Sequence, residues 1–309
     1  MIKLFNINNY EINTYSYRSL LHDRNVSELE YKISGFVGAK YGLALNSATN
    51  AIFLSLLNKN ITVSIPSVIP PVVPNAIITS GNSVKFNDNI QWVGHSYTLH
   101  KFERDYKIVD SAQELTENQF ADNCNPDDLM IFSFYPTKPV GGCDGGMIVS
   151  DDYDKISYLR EMSMNGTTFS NNTWERTINR VGYKMYMNSI QAEIITHNFN
   201  QYNSKLERLS SIKQYYNEKL NQNNTSNHLY RINVRNNAKF ISYMSEQGVQ
   251  CGIHYKALHS NPIFGTNNTS LPQSEYESQT TVSIPYHEQL TLSELQKITE
   301  LILRYDEYS

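Results

Sequence analysis

Leu129-Met-Ile-Phe-Ser-Phe-Tyr-Pro-Thr-Lys-Pro-Val-Gly-Gly-Cys-Asp-Gly-Gly146 is an apolar run that stops abruptly at a loop rich in proline and glycine. Its first residues alternate, with Ile131 and Ser133 on one face and Phe132 and Phe134 on the other, which predicts a buried strand. Pro136 ends it. Lys138 precedes Pro139, which disfavours helical geometry at the lysine and holds it on an extended loop. Gly141, Gly142, Gly145 and Gly146 let the backbone turn tightly and come close to a ligand. Most lysines are solvated surface residues. One placed behind a buried strand, in a loop of this kind, is a candidate for desolvation. Desolvation lowers the pKa of an amine, as a Schiff-base nucleophile requires.

Outward from this loop, short apolar strands alternate with helical patterns over the first two thirds of the chain. This predicts an α/β fold with a mostly parallel sheet. Tyr41-Gly-Leu-Ala-Leu, Thr62-Val-Ser-Ile and Tyr106-Lys-Ile-Val read as further strands, and Ala51 to Leu57 as a helix. Ser27-Glu-Leu-Glu opens a helix in capping-box style. Asp110 ends one strand, and ligands of open α/β sheets gather at the carboxyl ends of strands. Asn46-Ser-Ala-Thr stands between a strand and a helix, where free amides and hydroxyls make an anion site suited to phosphate. From Asn188 to Leu220 the period is helical. From about Tyr230 the chain reads as a smaller α+β unit, with a helix from Asn237 to Gln247, strands near Ile253 and Val282, and a closing helix from Leu292 to Arg304. The expected division is a large domain over residues 1–200 and a small one over 201–309.

Composition narrows the function classes. The 309 residues carry a net charge of −4 without a long run of like charge, which argues against a nucleic-acid footprint or a polybasic membrane patch. No stretch is apolar enough to span a membrane, and the first residues lack a signal-peptide core. Cys124, Cys143 and Cys251 are too far apart for a disulfide framework or a zinc pattern. No histidine pair has metal-ligand spacing on a helix. A cytoplasmic protein without a metal site is the expectation. His95 and His100 are possible linings of a substrate pocket.

Taken in order, these segments resemble the DegT/DnrJ/EryC1/StrS family of pyridoxal-phosphate (PLP) sugar aminotransferases, of aspartate-aminotransferase fold (fold type I). Phe132-Ser-Phe-Tyr-Pro-Thr-Lys followed by Asp144-Gly-Gly matches the family's lysine motif almost letter for letter. Leu45-Asn-Ser-Ala-Thr-Asn-Ala-Ile resembles its phosphate-binding helix start, and Val109-Asp-Ser-Ala-Gln its Glu-Asp-Ala-Ala-Gln. Ile65-Pro-Ser with Pro74-Asn-Ala-Ile, Gly182 to Ala192, Ile253-His-Tyr, Leu258-His259 and Ser283-Ile-Pro-Tyr-His resemble further family segments.

The resemblance implies a large PLP-binding domain with a mostly parallel sheet, a smaller C-terminal α+β domain, and a homodimer with shared sites. It implies that Lys138 carries the cofactor as a Schiff base and shuttles the proton. Asp110 would pair with the pyridine nitrogen and Gln113 would lie near the ring hydroxyl. Ala48, Thr49 and Ser133 would contact the phosphate, joined by Lys184 from the partner chain. The implied reaction moves an amino group, usually from glutamate, through the pyridoxamine form of the cofactor to a keto group on a nucleotide-linked deoxysugar. Three departures stand out: Ala48 replaces a glycine, Pro70 takes the place of the ring-stacking aromatic, and Tyr186 stands where Arg or Asn is usual. The stretch from Phe86 to Tyr106 is also short, as if a strand–helix unit were trimmed. Two other readings are a PLP-dependent sugar dehydratase, against which Lys138 argues because those relatives carry histidine there, and a non-catalytic or regulatory protein of the same fold.

Overall fold

Strands that are apolar on both faces need cover on both faces. In the structure of the chain, a computed structural model that describes residues 1–7, 10, 24–103, 106–169, 176–264 and 270–305, helices supply that cover. The elements in order are α1 (Arg24–Val37), β1 (Tyr41–Leu45), α2 (Ala48–Leu56), β2 (Thr62–Pro66), α3 (Val72–Thr79), β3 (Ser83–Asn87), β4 (Tyr97–Lys101) and β5 (Lys107–Asp110). Next come α4 (Gln119–Asn123), β6 (Leu129–Ser133), β7 (Gly146–Ser150), α5 (Tyr153–Ser163), β8 (Thr167–Phe169), β9 (Arg176–Ile178), α6 (Ser189–Asn200) and α7 (Tyr202–Leu220). The remainder holds β10 (Tyr230–Asn233), α8 (Asn237–Glu246), α9 (Pro272–Thr280), β11 (Thr281–Ile284) and α10 (Leu292–Arg304).

The main sheet runs β1-β7-β6-β5-β4. Alternate residues go to opposite cores. Leu43, Leu45, Ile108, Ile131 and Ile148 pack with α2, α3 and α5, while Ala44, Val109, Met130, Phe132 and Val149 pack with α1 and α6. Each large side chain fully buried this way contributes about 1.5–3 kcal/mol. A third cluster joins Leu209, Ile212 and Tyr216 of α7 to Tyr230, Phe240, Val282 and Ile298, and it includes Ile2 from the N-terminus.

The α/β class holds, but the main sheet is mixed rather than mostly parallel. Only β5–β6 is a parallel ladder within it; β1–β7, β7–β6 and β5–β4 are antiparallel. A parallel crossover needs a dozen or more residues, usually with a helix, and the short segment before β5 has no room for one. Instead β5 lies antiparallel to β4, and the Phe102 N–H donates to the Tyr106 carbonyl at 2.9 Å beside that ladder. The parallel pair β2–β3 forms a separate ladder.

Smaller expectations also change. Ser27 and Glu30 lie inside α1, which already runs from Arg24, so they form no capping box there. The helical stretch after Asn188 is two helices broken at Gln201, and the first is capped by a true box of Asn188 and Gln191. Near Ile253 the chain makes only an isolated bridge, Gly252 to Ser283.

Glu30 has a structural task instead. Its carboxylate is buried and accepts the Ala44 N–H at 2.8 Å and both Arg160 Nη atoms at 2.9 Å, while Arg160 also reaches the Gly42 carbonyl at 2.7 Å. One ion pair thus ties α1 and α5 to β1. Removing one partner strands the other's charge, so Arg160→Ala should lose about 3 kcal/mol of stability in urea unfolding. Ser157→Ala, on the exposed side of the same helix, should change stability by less than about 0.5 kcal/mol.

Candidate active site

One edge of the main sheet collects the chemistry, and strand register explains why. The ladders set Leu45 beside Gly146 and Gly146 beside Ser133; two residues back on β6, Ile131 lies beside Asp110, and Asp110 beside Tyr97. The ends of β1, β6 and β5 and the starts of β7 and β4 therefore meet at one rim.

At the β1 end, Ser47 caps α2, accepting the Asn50 N–H at 3.2 Å. The N–H groups of Ala48 and Thr49 meet no acceptor among the described residues, as expected for a helix start open to an anion. Gly146 lies directly beneath: a Cβ there would sit 2.4 Å from the Ala48 nitrogen. Glycine is what allows the sheet and the helix start to touch. The cradle is held from outside too, by Gln191 Nε2 on the Asn46 carbonyl at 3.1 Å and by the Asn46 N–H on the Met185 carbonyl at 2.8 Å.

Beyond Ser133 the loop folds back on its strand. Gly142 N–H donates to the Phe134 carbonyl at 2.8 Å and Lys138 N–H to the Tyr135 carbonyl at 2.8 Å, a tight turn before the lysine. Lys138 is half-buried, and its ammonium has no hydrogen-bond acceptor among the described residues. Loss of water pulls its pKa down to about 8, although the Asp110 charge pulls the other way.

Asp110 is buried, and burial raises its carboxyl above the ordinary range. The Ala112 N–H at 3.0 Å on Oδ1, the Tyr97 hydroxyl at 3.0 Å on Oδ2 and the Lys138 charge oppose that rise. Gln113 is buried nearby; its Oε1 accepts the Gly94 N–H at 2.7 Å and its Nε2 donates to the Tyr255 hydroxyl at 3.0 Å. Lys184 stands apart. It is exposed on the segment beside Asn46, and its ammonium meets no acceptor among the described residues.

Several residues of the site were given no role from the sequence, although Tyr255, His254 and His259 fall in the family-like segments Ile253-His-Tyr and Leu258-His259. Trp92, Tyr97 and Tyr255 form a ring cluster, with Trp92 tilted against Tyr97 at 4.9 Å and parallel to Tyr255 at 6.1 Å. The Trp92 indole N–H donates to the Val68 carbonyl at 3.0 Å, two residues from Pro70. For Trp92 and Tyr97, two aromatics in a trimmed stretch were the only hint. Buried His228 and half-buried His254 have pKa values lowered by desolvation first and then by the Lys138 charge, His254 to about 4. Both are neutral at physiological pH. His259 bonds Ser67 at 2.7 Å, and the Leu258 N–H bonds the Ser67 carbonyl at 3.0 Å, so the loop that carries Tyr255 is fastened to the end of β2. His100 lies at the far end of β4 from Asp110 and takes no part, whereas His95 follows Gly94 at the rim.

Beside the lysine loop opens a cleft of about 910 Å³, lined in part by Pro139, Gly141, Lys205, Arg208 and Glu288, which is the size range of small-molecule sites. A much smaller void with Lys138 and His228 on its wall shares Pro139, Lys205 and Glu288 with it.

A half-buried amine of lowered pKa, a buried carboxylate and an open helix N-terminus over a bare glycine define a class, an α/β enzyme built around a lysine-bound, phosphate-bearing cofactor. The donor set fits PLP: the amine suits its aldehyde carbon, the carboxylate its pyridine nitrogen, the helix start its phosphate. The chain belongs to the DegT/DnrJ/EryC1/StrS aminotransferase family, whose sequence profile matches residues 11–89 and 106–303. The break in that match coincides with the β4 hairpin.

Among similar proteins, the spore coat polysaccharide biosynthesis protein SpsC of Bacillus subtilis is 21% identical, over 90% of this chain and 88% of its own. The UDP-4-amino-4,6-dideoxy-N-acetyl-beta-L-altrosamine transaminase of Campylobacter jejuni is 20% identical, over 90% and 89%. The fold is that of solved aminotransferases. TlmJ of Streptoalloteichus hindustanus superimposes with a TM-score of 0.83 at 17% identity, covering 98% of both chains, and Helicobacter pylori PseC with 0.77 at 17%, covering 94% and 93%.

A lysine with a pKa near 8 reacts as the neutral amine at lower pH than a free, solvated lysine, whose reference value is about 10.4. Competitive labelling of the cofactor-free chain with a small acylating reagent, read by peptide mass spectrometry, should show Lys138 labelling reach half its maximum near pH 8. A free lysine derivative labelled in the same tube should still be rising at about pH 10.

Proposed function

We propose that this chain is a PLP-dependent aminotransferase that moves an amino group from an amino acid, L-glutamate by preference, to a keto group of a nucleotide-linked deoxysugar. The observation that carries the reading is the retained pair of Lys138 and Asp110 at one sheet rim, each withdrawn from water. Family membership and the nucleotide-sugar transaminases among the similar proteins support the substrate class. The dehydratase reading is not favoured, because Lys138 is present.

When bound, PLP supplies the electron sink for breaking a bond at the amino-bearing carbon. The chain's own residues do the rest. Lys138 Nζ, near its own pKa at physiological pH, can take up a proton from substrate carbon and return it. Asp110 holds the proton on the pyridine nitrogen. Ala48 and Thr49 offer their N–H groups to the phosphate, with Ser133 beside them. Gln113, fixed at both ends of its amide, limits the cofactor's ring-hydroxyl side. The large cleft by Lys205 and Arg208 gives the sugar substrate a seat.

The same reading makes the protein a cytoplasmic homodimer whose chains divide near residue 200 into a large and a small domain. Lys184 would reach the partner's phosphate site. Its exposure supports this, as do the exposed apolar side chains of Ile178 and Val181 on the same stretch.

The direct test is to incubate the PLP-loaded protein with glutamate and a panel of nucleotide 3-keto and 4-keto deoxysugars and to look for an aminated sugar by mass spectrometry. No product with any acceptor, while cofactor is held, would favour the non-catalytic reading. Lys138→Ala should lose at least about a thousandfold in turnover, since it removes both nucleophile and proton carrier. Co-expressed Lys138→Ala and Lys184→Ala chains should recover about a quarter of wild-type activity in randomly paired dimers. No recovery from proven heterodimers would mean that Lys184 acts within its own chain.

A further inference from the structure

The antiparallel β4–β5 pair brings one polar atom to the centre of the site. Tyr97 opens β4 directly opposite Asp110, and its hydroxyl donates to Asp110 Oδ2 at 3.0 Å. The phenol is buried and braced by Trp92 at 4.9 Å, whose indole is pinned to the Val68 carbonyl. Asp110 Oδ1 receives the Ala112 N–H at 3.0 Å. Each carboxylate oxygen thus has one donor from the chain, and an ionised carboxylate can accept about four.

We propose that Tyr97 is a positioning residue for the cofactor's pyridine nitrogen, fixing the plane of the Asp110 carboxylate and holding it ionised. This rests on the PLP reading above. With the Ala112 N–H alone, the carboxylate could swing about its last torsion, which is broad for aspartate. With a donor on each oxygen it is held, and about two acceptor sites are left for the ring nitrogen's N–H. A hydrogen bond to the anion also lowers its proton affinity. The proton shared between Asp110 and the ring nitrogen therefore stays on the nitrogen, where it serves catalysis. Trp92 sets the place of Tyr97, and through its parallel contact with Tyr255 it joins Tyr97 to the partner of Gln113. The two residues that face the ring from Asp110 and Gln113 are thus both seated by aromatics, one of them in the trimmed stretch.

Tyr97→Phe removes only the hydroxyl and keeps the ring against Trp92; near-ultraviolet circular dichroism checks that the fold survives. With PLP labelled by ¹⁵N in the ring, the wild-type resonance should lie at the protonated position, and Tyr97→Phe should move it toward the unprotonated one. Cofactor affinity by absorbance titration should fall about 10- to 150-fold, the range of one hydrogen bond to a charged group. In an Asp110→Asn background the same substitution should change neither reading, because Tyr97 acts through Asp110. An unchanged resonance and affinity in Tyr97→Phe overturns the proposal, as does an equal loss with and without Asp110. A wild-type chain that takes up no PLP overturns the cofactor reading itself, and that outcome is distinct from both.

Discussion

Two opposite charges share one rim of a sheet, and neither is properly solvated. Taking an ammonium and a carboxylate out of water costs several kcal/mol per ion even after relaxation. The chain offsets that cost unevenly. Asp110 has a backbone donor and a phenol, while the Lys138 ammonium has no hydrogen-bond acceptor among the described residues and only the more distant attraction of Asp110. The lysine side answers by giving up its proton more easily. This leaves a nucleophile beside an anion, an arrangement that water alone would not favour. A ligand that consumes the amine and presents a cationic ring nitrogen relieves both ends together.

For that relief to occur the phosphate must land at a fixed distance, and the backbone sets it. Gly146 brings β7 against the start of α2, Ser47 closes the first turn, and Gln191 and Met185 hold Asn46 from the α6 side. Gln191 is also half of the capping box of α6. The same glutamine thus starts one helix and steadies the loop that starts another, which couples the cradle to the segment bearing Lys184.

Much of this was legible because it is local. The lysine loop is written in prolines and glycines whose backbone demands do not depend on distant contacts, and Asp110 closes an apolar strand of only a few residues. The helix start at Ala48 is similarly plain. Strand direction was not legible, since a hairpin and a crossover differ by the number of residues available and the apolar pattern of β4 fits either. Ser27 and Glu30 match a capping box in spacing, but Glu30 is taken by Arg160, which is 130 positions away. Tyr97 and Trp92 were hidden for the same reason: an aromatic in a loop signals burial of some kind, and only the register shows what it is buried against.

The hairpin has a consequence beyond economy of length. A crossover would bring β4 up to the rim at its carboxyl end, so the chain would leave the site there. An antiparallel β4 enters at the rim instead, and the residues just before it, Trp92 to Ser96, must come down over the cofactor side of the sheet. Their contacts follow from that path: Trp92 against the β2–α3 loop, Gly94 on Gln113, Ser96 on Glu114, Tyr97 on Asp110. Every one of them meets the segment from Asp110 to Glu114 or the loop carrying Pro70. The stretch from Trp92 to Tyr97 therefore folds inward onto the site, and the Trp92 indole is tied to the Val68 carbonyl, two residues from Pro70, which has no ring to offer.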